Sequence, residues 1–192
     1  SKITVPGTGI VLNNEMDDFS VDATTPNKWQ AIGSDANAVE PGKRPLSSMT
    51  PLIVLKDGRA VMALGSPMGT LIISAVLQSL LNTVDFGFDP QRAVMAPRFH
   101  HQWQPDTLVM EPGFSSDVRK RLQALGFTIE ERAMIGAAEL SLFDPKSCYF
   151  WGGADGRRDS AAAGANIGQV QAVSDEQRCS LLNDGKAAAV QH

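Results

Sequence analysis

Two short apolar runs separated by an Asp-Gly pair place the strongest constraint on how this chain of 192 residues can fold. The runs cover residues 52–56 and 59–64, and Asp57-Gly58 stands between them. A two-residue Asp-Gly connection is typical of a tight hairpin, because both residues tolerate the positive φ that such a turn needs. The sequence therefore predicts a pair of antiparallel strands here.

The residues after this hairpin predict helices. Ser66-Pro67 combines a capping residue with a proline, which is tolerated at the first helical position, so we expect a helix from there to about Asn82. Asp89-Pro90 repeats the signal for a short helix ending at residue 94, and residues 116–125 predict a third helix. The apolar residues of the first helix form two adjoining rows, which indicates that it is mostly buried. The rows are Ile72, Val76 and Leu80, and Ile73, Leu77 and Leu81.

Further strands are predicted at residues 9–12, 107–111, 127–131, 139–143 and 148–151. The first of these is expected to be a short buried strand within residues 1–50, a stretch rich in turn-forming residues. Paired strands with intervening helices predict an α+β fold, with helices packed on an antiparallel sheet. Residues 1–165 are expected to form this region, followed by a C-terminal tail over residues 166–192.

The composition excludes several classes of protein. Hydrophobic residues make up 43% and charged residues 20% of the chain, which fits one compact domain. The net charge is −4 without a stripe of like charge, so nucleic acid is not expected as a partner. Residues 71–81 form the longest apolar stretch, far shorter than the roughly 20 residues that cross a bilayer, so no membrane segment is predicted. Cys148 and Cys179 provide neither a disulfide framework nor the spacing of a zinc site, and they leave the compartment undetermined.

Two polar motifs could bind the charged ends of an amino acid. Residues 15–18 carry the carboxylates of Glu15, Asp17 and Asp18, and carboxylates bind ammonium groups through charge-assisted hydrogen bonds. Ser47-Ser48 follows the basic pair Lys43-Arg44, and hydroxyl groups near a cation suit a carboxylate ligand. Taken alone, each motif is more simply explained as a surface turn.

Residues 65–70 lie where a strand is predicted to enter a helix. The backbone N–H groups of Met68 and Gly69 would then belong to the unsatisfied first turn and would face any docked group. Two such donors are what an oxyanion hole requires. The motif is weak by itself, because every helix has an N-terminus, and it lacks the residues that define nucleotide-binding loops.

The pair His100-His101 next to Trp103 suggests a metal ligand or a general base. Adjacent histidines point in different directions on a regular element, so we instead predict a structural loop anchored by Trp103. We recognise neither a Gly-x-Ser-x-Gly elbow nor an activated cysteine. The chain thus offers binding groups and a candidate oxyanion hole without a convincing nucleophile, and no metal or cofactor is predicted.

Taken in order, these motifs resemble the small subunit of γ-glutamyltranspeptidases. The resemblance rests on residues 6–20, 43–49, 65–69, 96–103 and 155–159 and covers roughly residues 6 to 165. It implies a four-layer αββα sandwich of the N-terminal-nucleophile hydrolase type, made as a precursor that cleaves itself to expose a Thr. That Thr would be both nucleophile and base. The implied partners are a large subunit of the same precursor and a small γ-glutamyl substrate such as glutathione.

The resemblance also implies roles for the polar motifs. Glu15 and Asp18 would bind the α-amino group of the substrate, and Ser47-Ser48 would bind its α-carboxylate. The backbone amides of Met68 and Gly69 would hold the oxyanion. The acyl-enzyme would then pass its glutamyl group to water, an amino acid or a peptide.

Two features depart from the family pattern. The family places the nucleophilic Thr upstream of Pro6-Gly7-Thr8-Gly9, and this chain begins too close to that stretch to include it, so this polypeptide alone is expected to be inactive. The family commonly has two glycines where this chain has Met68-Gly69, and a polar residue followed by Arg where it has Thr70-Leu71. Met68 keeps its backbone N–H, but its side chain would crowd the acyl pocket. Two alternatives therefore remain: a glutaryl or cephalosporin acylase, and a catalytically inactive γ-glutamyl-binding module.

Overall fold

A computed structural model describes residues 3–22 and 24–163, so the predicted tail at 166–192 lies outside the described residues. The described part contains both α-helices and two β-sheets, which confirms the predicted α+β class. The four-layer sandwich stays a prediction. None of the helices in the described residues is long and apolar enough to cross a membrane. The helices are α1 (Leu71–Val84), α2 (Pro90–Met95) and α3 (Ser116–Ala124), and the strands are β1 (Leu52–Lys56), β2 (Arg59–Gly65), β3 (Phe99–His100), β4 (Leu108–Met110), β5 (Ile129–Glu131), β6 (Glu139–Asp144) and β7 (Tyr149–Ala154).

The larger sheet is antiparallel throughout and follows the order β1-β2-β6-β7. Asp57 and Gly58 connect β1 to β2 with φ angles of 53° and 76°, so the predicted hairpin is confirmed together with its turn chemistry. The strands predicted at residues 139–143 and 148–151 are also confirmed, as β6 and β7, and they pair with each other. Cys148, in the turn before β7, is disulfide-bonded.

Helix α1 begins at Leu71, so the start predicted from Ser66-Pro67 is wrong. The φ angles of Met68 and Gly69 are 102° and 55°, and a right-handed helix cannot contain residues in that conformation. A short left-handed turn therefore separates the hairpin from α1. Thr70, at the end of this turn, occupies the N-cap position.

The two apolar rows of α1 have different surroundings. Ile72 and Val76 are buried, whereas Ile73 and Leu77 are each 51% exposed. The prediction of a mostly buried helix is therefore wrong for the second row. Its side chains face outward from the described chain because only one side of α1 packs against the sheet and α2.

The core lies between the larger sheet and helices α1 and α2. Helix α2 is capped as predicted, because the side chain of Asp89 accepts a hydrogen bond from the Arg92 amide at 2.9 Å. It approaches β7 so closely that a Cβ on Gly153 would lie 2.4 Å from the Pro90 carbonyl oxygen. The buried apolar residues of this core are Met62, Leu64, Ile72, Val76, Ala93, Val94, Ala138 and Leu140.

The smaller sheet has the order β3-β4-β5, and its β4–β5 pair is parallel. The expectation of antiparallel pairing is wrong for this pair. Parallel neighbours need a long crossover connection, and the segment that contains α3 supplies it between β4 and β5.

The first predicted strand, residues 9–12, is not a buried strand. It forms a single antiparallel bridge, between Thr4 and Val11, and Ile10 and Val11 are 59% and 65% exposed. The turn-forming residues on both sides leave too little extended chain for a longer ladder.

Candidate active site

The acidic motif forms one 3-10 turn, Glu15–Asp18, which we call the acidic turn. Asp18 is half-buried, and this burial, with the neighbouring charges of Glu15 and Asp17, raises the pKa of its carboxyl. Oδ2 of Asp17 is buried and has no hydrogen-bond partner among the described residues. No Lys or Arg of the described chain forms an ion pair with this turn. A docked cation would relieve both the repulsion and the unmet hydrogen bond.

A cavity of about 190 Å³ lies beside the acidic turn. Asp17, Asp18, Ser48 and Thr70 are among the residues that line it. Ser48 is only 9% exposed, so its position is set by the surrounding chain. The structure thus brings Asp18 and Ser48, which are far apart in sequence, to one cavity. Asp17, to which the sequence assigned no separate role, lines it as well.

Glu15 and Ser47 lie differently from their neighbours. Neither is among the described residues that line the cavity. Glu15 is exposed, and the Oγ of Ser47 accepts a hydrogen bond from the Met49 amide at 3.2 Å. The roles predicted for Glu15 and Ser47 therefore have less geometric support than those of Asp18 and Ser48.

Met68 and Gly69 form the left-handed turn before α1, which we call the amide turn. Their carbonyl groups accept hydrogen bonds from the amides of Leu71 and Ile72 at 3.2 and 3.0 Å. Their own N–H groups donate to no group within the described chain. Two successive donors therefore remain available next to Thr70, which lines the cavity.

The two positions of the amide turn differ in whether they can accommodate a side chain. A Cβ on Gly69 would lie 2.4 Å from ring atoms of Trp29, so the indole ring covers this position. Met68 carries its side chain at a φ of 102°, which residues other than glycine rarely adopt. The turn accordingly requires glycine at position 69 and stores backbone strain at Met68.

The two histidines have different environments. His100 is 6% exposed, with Nδ1 at 2.7 Å from Ser74 Oγ and Nε2 at 3.0 Å from Gln102 Oε1. Burial lowers the pKa of the His100 imidazole. His101 is exposed. Trp103 is 74% exposed, so the prediction that it anchors this loop is wrong; the hydrogen bonds of Gln102 hold the loop instead.

Sequence reasoning missed the role of four charged residues, which form what we call the charge network. Arg98 pairs with Asp155 at 2.8 Å, and Arg157 pairs with Glu111 at 2.6 Å and with Asp155 at 3.0 Å. Arg98, Glu111 and Asp155 are each at most 1% exposed. Burial raises the pKa of Asp155, but hydrogen bonds from the Arg157 amide and from Arg98 outweigh it, so the pKa of Asp155 lies below its usual value.

The charge network reaches the amide turn through one loop, residues 132–138. Glu111 accepts a hydrogen bond from the Ile135 amide at 2.6 Å, and Asp155 accepts one from the Ala138 amide at 2.8 Å. In the same loop, the Ala137 amide donates to Ser66 Oγ at 3.0 Å. Ser66 thus fixes the chain just before the amide turn instead of capping α1.

Comparison with known proteins identifies the family. The model of the family described as gamma-glutamyltranspeptidase matches residues 1–165. This chain belongs to the γ-glutamyltranspeptidase family. The match covers all of the motifs that carried the resemblance, which is thereby confirmed, and it places the chain among the N-terminal-nucleophile hydrolases.

Individual members of the γ-glutamyltranspeptidase family agree with this assignment. The chain is 46% identical over 157 residues to the glutathione hydrolase proenzyme of Escherichia coli (strain K12), a match that covers 81% of this chain and 27% of that protein. A mutant of the γ-glutamyltranspeptidase from Helicobacter pylori has 43% identity and a TM-score of 0.78, and the match covers 82% of this chain and 87% of that one. The chain therefore spans about a quarter of its E. coli relative but most of one polypeptide of the solved enzyme.

A more distant likeness links this γ-glutamyltranspeptidase-family chain to an acylase. The cephalosporin acylase from Bacillus halodurans is 29% identical, with a TM-score of 0.71. The match covers 85% of this chain and 29% of the acylase chain. The fold of this chain is thus similar both to that of a γ-glutamyltranspeptidase and to that of a cephalosporin acylase.

Proposed function

We propose that this chain is the small-subunit portion of a γ-glutamyl transferase or hydrolase that acts on glutathione and other γ-glutamyl amides. A Thr upstream of Pro6-Gly7-Thr8-Gly9 would carry the acyl group, and a large subunit of the same precursor would complete the site. Family membership supports this, as does the description of the E. coli relative as a proenzyme. Exposed apolar side chains of β1 and α1, among them Ile53 (66%) and Leu77 (51%), suit a larger partner.

One observation carries the proposal: the acidic turn forms no ion pair with any described residue, and it lines the same cavity as Ser48. A γ-glutamyl group has an α-ammonium and an α-carboxylate at one end. The ammonium would donate hydrogen bonds to the carboxylates of Asp17 and Asp18, and the Ser48 hydroxyl would donate to the substrate carboxylate. The γ-carbonyl at the other end would then extend toward the amide turn.

The chemistry that follows uses the two free amides. The Thr hydroxyl attacks the γ-carbon and passes its proton to the α-amine of the same Thr. The N–H groups of Met68 and Gly69 hold the oxyanion, and one such donor is typically worth about 3 kcal/mol of transition-state stabilisation. The C–N bond breaks, the amine leaves with the proton, and an ester remains on the Thr. Water or the amine of an amino acid or peptide then attacks this ester.

Two anilides that differ in one group test the proposal on the assembled enzyme. γ-Glutamyl-p-nitroanilide carries the α-ammonium and glutaryl-p-nitroanilide lacks it. We expect Asp18→Asn to lower kcat/KM for the γ-glutamyl compound by roughly 10- to 100-fold, since hydrogen bonds to charged groups are worth about 1.5–3 kcal/mol. Asp18→Asn should change glutaryl turnover little. Asp35→Asn, at an exposed carboxylate of a neighbouring turn, is the matched control.

A second candidate function is hydrolysis of glutaryl amides. Met68 adds an apolar side chain to the amide turn, and the likeness to the cephalosporin acylase points the same way. Under this alternative the wild-type enzyme hydrolyses the glutaryl anilide faster than the γ-glutamyl one. Binding of L-glutamate that Asp18→Asn abolishes, without turnover of either anilide, would instead identify an inactive γ-glutamyl-binding module.

A further inference from the structure

The side chain of Gln102 makes four hydrogen bonds. Its Oε1 accepts from Thr70 Oγ1 at 2.8 Å and lies 3.0 Å from His100 Nε2. Its Nε2 donates to the carbonyl oxygens of Trp29 and Gln104, each at 3.1 Å. Because carbonyl oxygens only accept, the orientation of the amide is fixed, and the proton between His100 and Gln102 must lie on His100.

Two of these partners flank Gly69 of the amide turn. Thr70 follows Gly69 directly and precedes the first residue of α1. The ring of Trp29 lies on the open side of Gly69, at 2.4 Å from the position of a Cβ. Gln102 thus accepts a hydrogen bond from the side chain of Thr70, the residue after the amide turn, and donates one to the backbone of Trp29, whose ring covers the turn.

The same chain of hydrogen bonds continues to the acidic turn. Asn27 Oδ1 accepts from the amides of Trp29 and Ala31 at 2.9 and 3.1 Å. Asn27 Nδ2 donates to the Asp17 carbonyl oxygen at 3.3 Å. The acidic turn and the amide turn are therefore joined through residues 27–31 and Gln102.

We propose that Gln102 is a positioning residue, which fixes the two N–H groups of the amide turn relative to the acidic turn. This inference rests on the proposed function, in which the two turns bind opposite ends of one substrate. Gln102 is not among the described residues that line the cavity beside Asp18, so it acts through Thr70 and Trp29. Loss of the tether should weaken transition-state stabilisation more than substrate binding, because a displacement of about 1 Å can reduce a rate roughly 100-fold.

Gln102→Met in the assembled enzyme tests the inference, since Met keeps the length of the side chain and removes all four hydrogen bonds. With γ-glutamyl-p-nitroanilide we expect kcat to fall about 10-fold or more, while KM stays within about 3-fold. Gln123→Met, at an exposed glutamine on α3, should leave both constants unchanged. An unchanged kcat in Gln102→Met, or a changed KM alone, would overturn the inference.

Gln102→Glu separates positioning from general support of the fold. The ionised carboxylate still accepts from Thr70 but cannot donate to Trp29, whereas the protonated form regains one donor. Its kcat deficit relative to wild type should therefore shrink as pH falls. A deficit that is the same at every pH, or no deficit, contradicts the two-sided tether.

If Gln102→Met does not fold, Thr70→Val removes a single hydroxyl from the same chain of hydrogen bonds. We expect kcat to fall in the same direction by a smaller factor, and a wild-type kcat in this variant would overturn the inference. Active wild type with unaffected variants refutes the positioning role alone. An inactive wild type refutes the proposed function, and this inference with it.

Discussion

The charge network and the acidic turn are both clusters of carboxylates, but their surroundings are opposite. In the network each carboxylate contacts an arginine, as in the pair of Arg98 with Asp155 at 2.8 Å. In the acidic turn the charged neighbours of Asp18 are Glu15 and Asp17. The carboxylates of the network are paired with arginines inside the described chain, whereas the acidic turn forms no ion pair with a described residue, so a docked cation could supply its counter-charge.

The difference also appears in the pKa values of one carboxyl from each cluster, Asp155 and Asp18. Burial acts on both carboxyls, yet the pKa of Asp155 is lowered and the pKa of Asp18 is raised. Hydrogen bonds from Arg157 and Arg98 decide the first case, and burial with like charges decides the second. The fold can stabilise a buried carboxylate where its own structure needs one. At the acidic turn no described residue stabilises the ionised carboxylate of Asp18 in this way. An unpaired carboxylate of this kind is suited to binding a cation.

The largest predicted effect comes from breaking the charge network. Asp155→Ala removes the partner of the buried Arg98, and an uncompensated buried charge costs about 3–5 kcal/mol. We expect the free energy of unfolding, measured by urea denaturation, to fall by that amount. Asp159→Ala, at an exposed carboxylate in the same segment, should change it by less than about 0.5 kcal/mol. Equal losses in the two variants would show that the charge network adds no more to the free energy of unfolding than an exposed carboxylate does.

The contrast between the two clusters also explains what the sequence could predict. The hairpin at Asp57-Gly58 and the cap at Asp89 depend on adjacent residues, so local chemistry predicts them correctly. The charge network joins Arg98 to a partner 57 positions away, and no local pattern marks such a pair. A charged residue at the end of an apolar strand, as Glu111 is after β4, is the one signal that could have suggested it.

The candidate site was predicted in its residue types but not in its backbone. Asp18 and Ser48 were singled out by chemistry and resemblance, and they share a cavity. The start of α1 was missed because helix-capping rules do not anticipate a Met with φ of 102°. The role of Gln102 was missed because its partners come from three separate segments of the chain.

Backbone strain at Met68 is a structural cost that lies in the candidate site and not in the charge network. Relief of a strained φ is worth about 1–3 kcal/mol, and a glycine costs about 0.5–1 kcal/mol in backbone entropy. Met68→Gly should therefore raise the free energy of unfolding by about 1 kcal/mol, measured by urea denaturation. Met49→Gly, at an exposed methionine with no positive φ, should lower it. The same sign in both variants would contradict a strained Met68.

The smallest predicted effect is a pH dependence of stability that has opposite signs for Asp155 and Asp18. The stabilisation from Asp155, whose pKa is lowered, is present above the unfolded value of about 3.9 and is lost as pH falls through the folded value. The contribution of Asp18, whose pKa is raised, is fully present below about 3.9 and is lost as pH rises through the folded value. Urea denaturation of wild type, Asp18→Asn and Asp155→Asn between about pH 3 and 7 measures both slopes.

A ligand should remove this difference in sign. Without one, the Asp18 contribution should change by only a few tenths of a kcal/mol, because a half-exposed carboxylate is screened by solvent. With saturating L-glutamate, the bound ammonium would give Asp18 the counter-charge that Arg98 gives Asp155, so the Asp18 slope should reverse and match that of Asp155. Glutarate, which has no ammonium, is the matched control and should leave the slope as it was. If glutamate and glutarate act alike, the acidic turn does not bind the amino group.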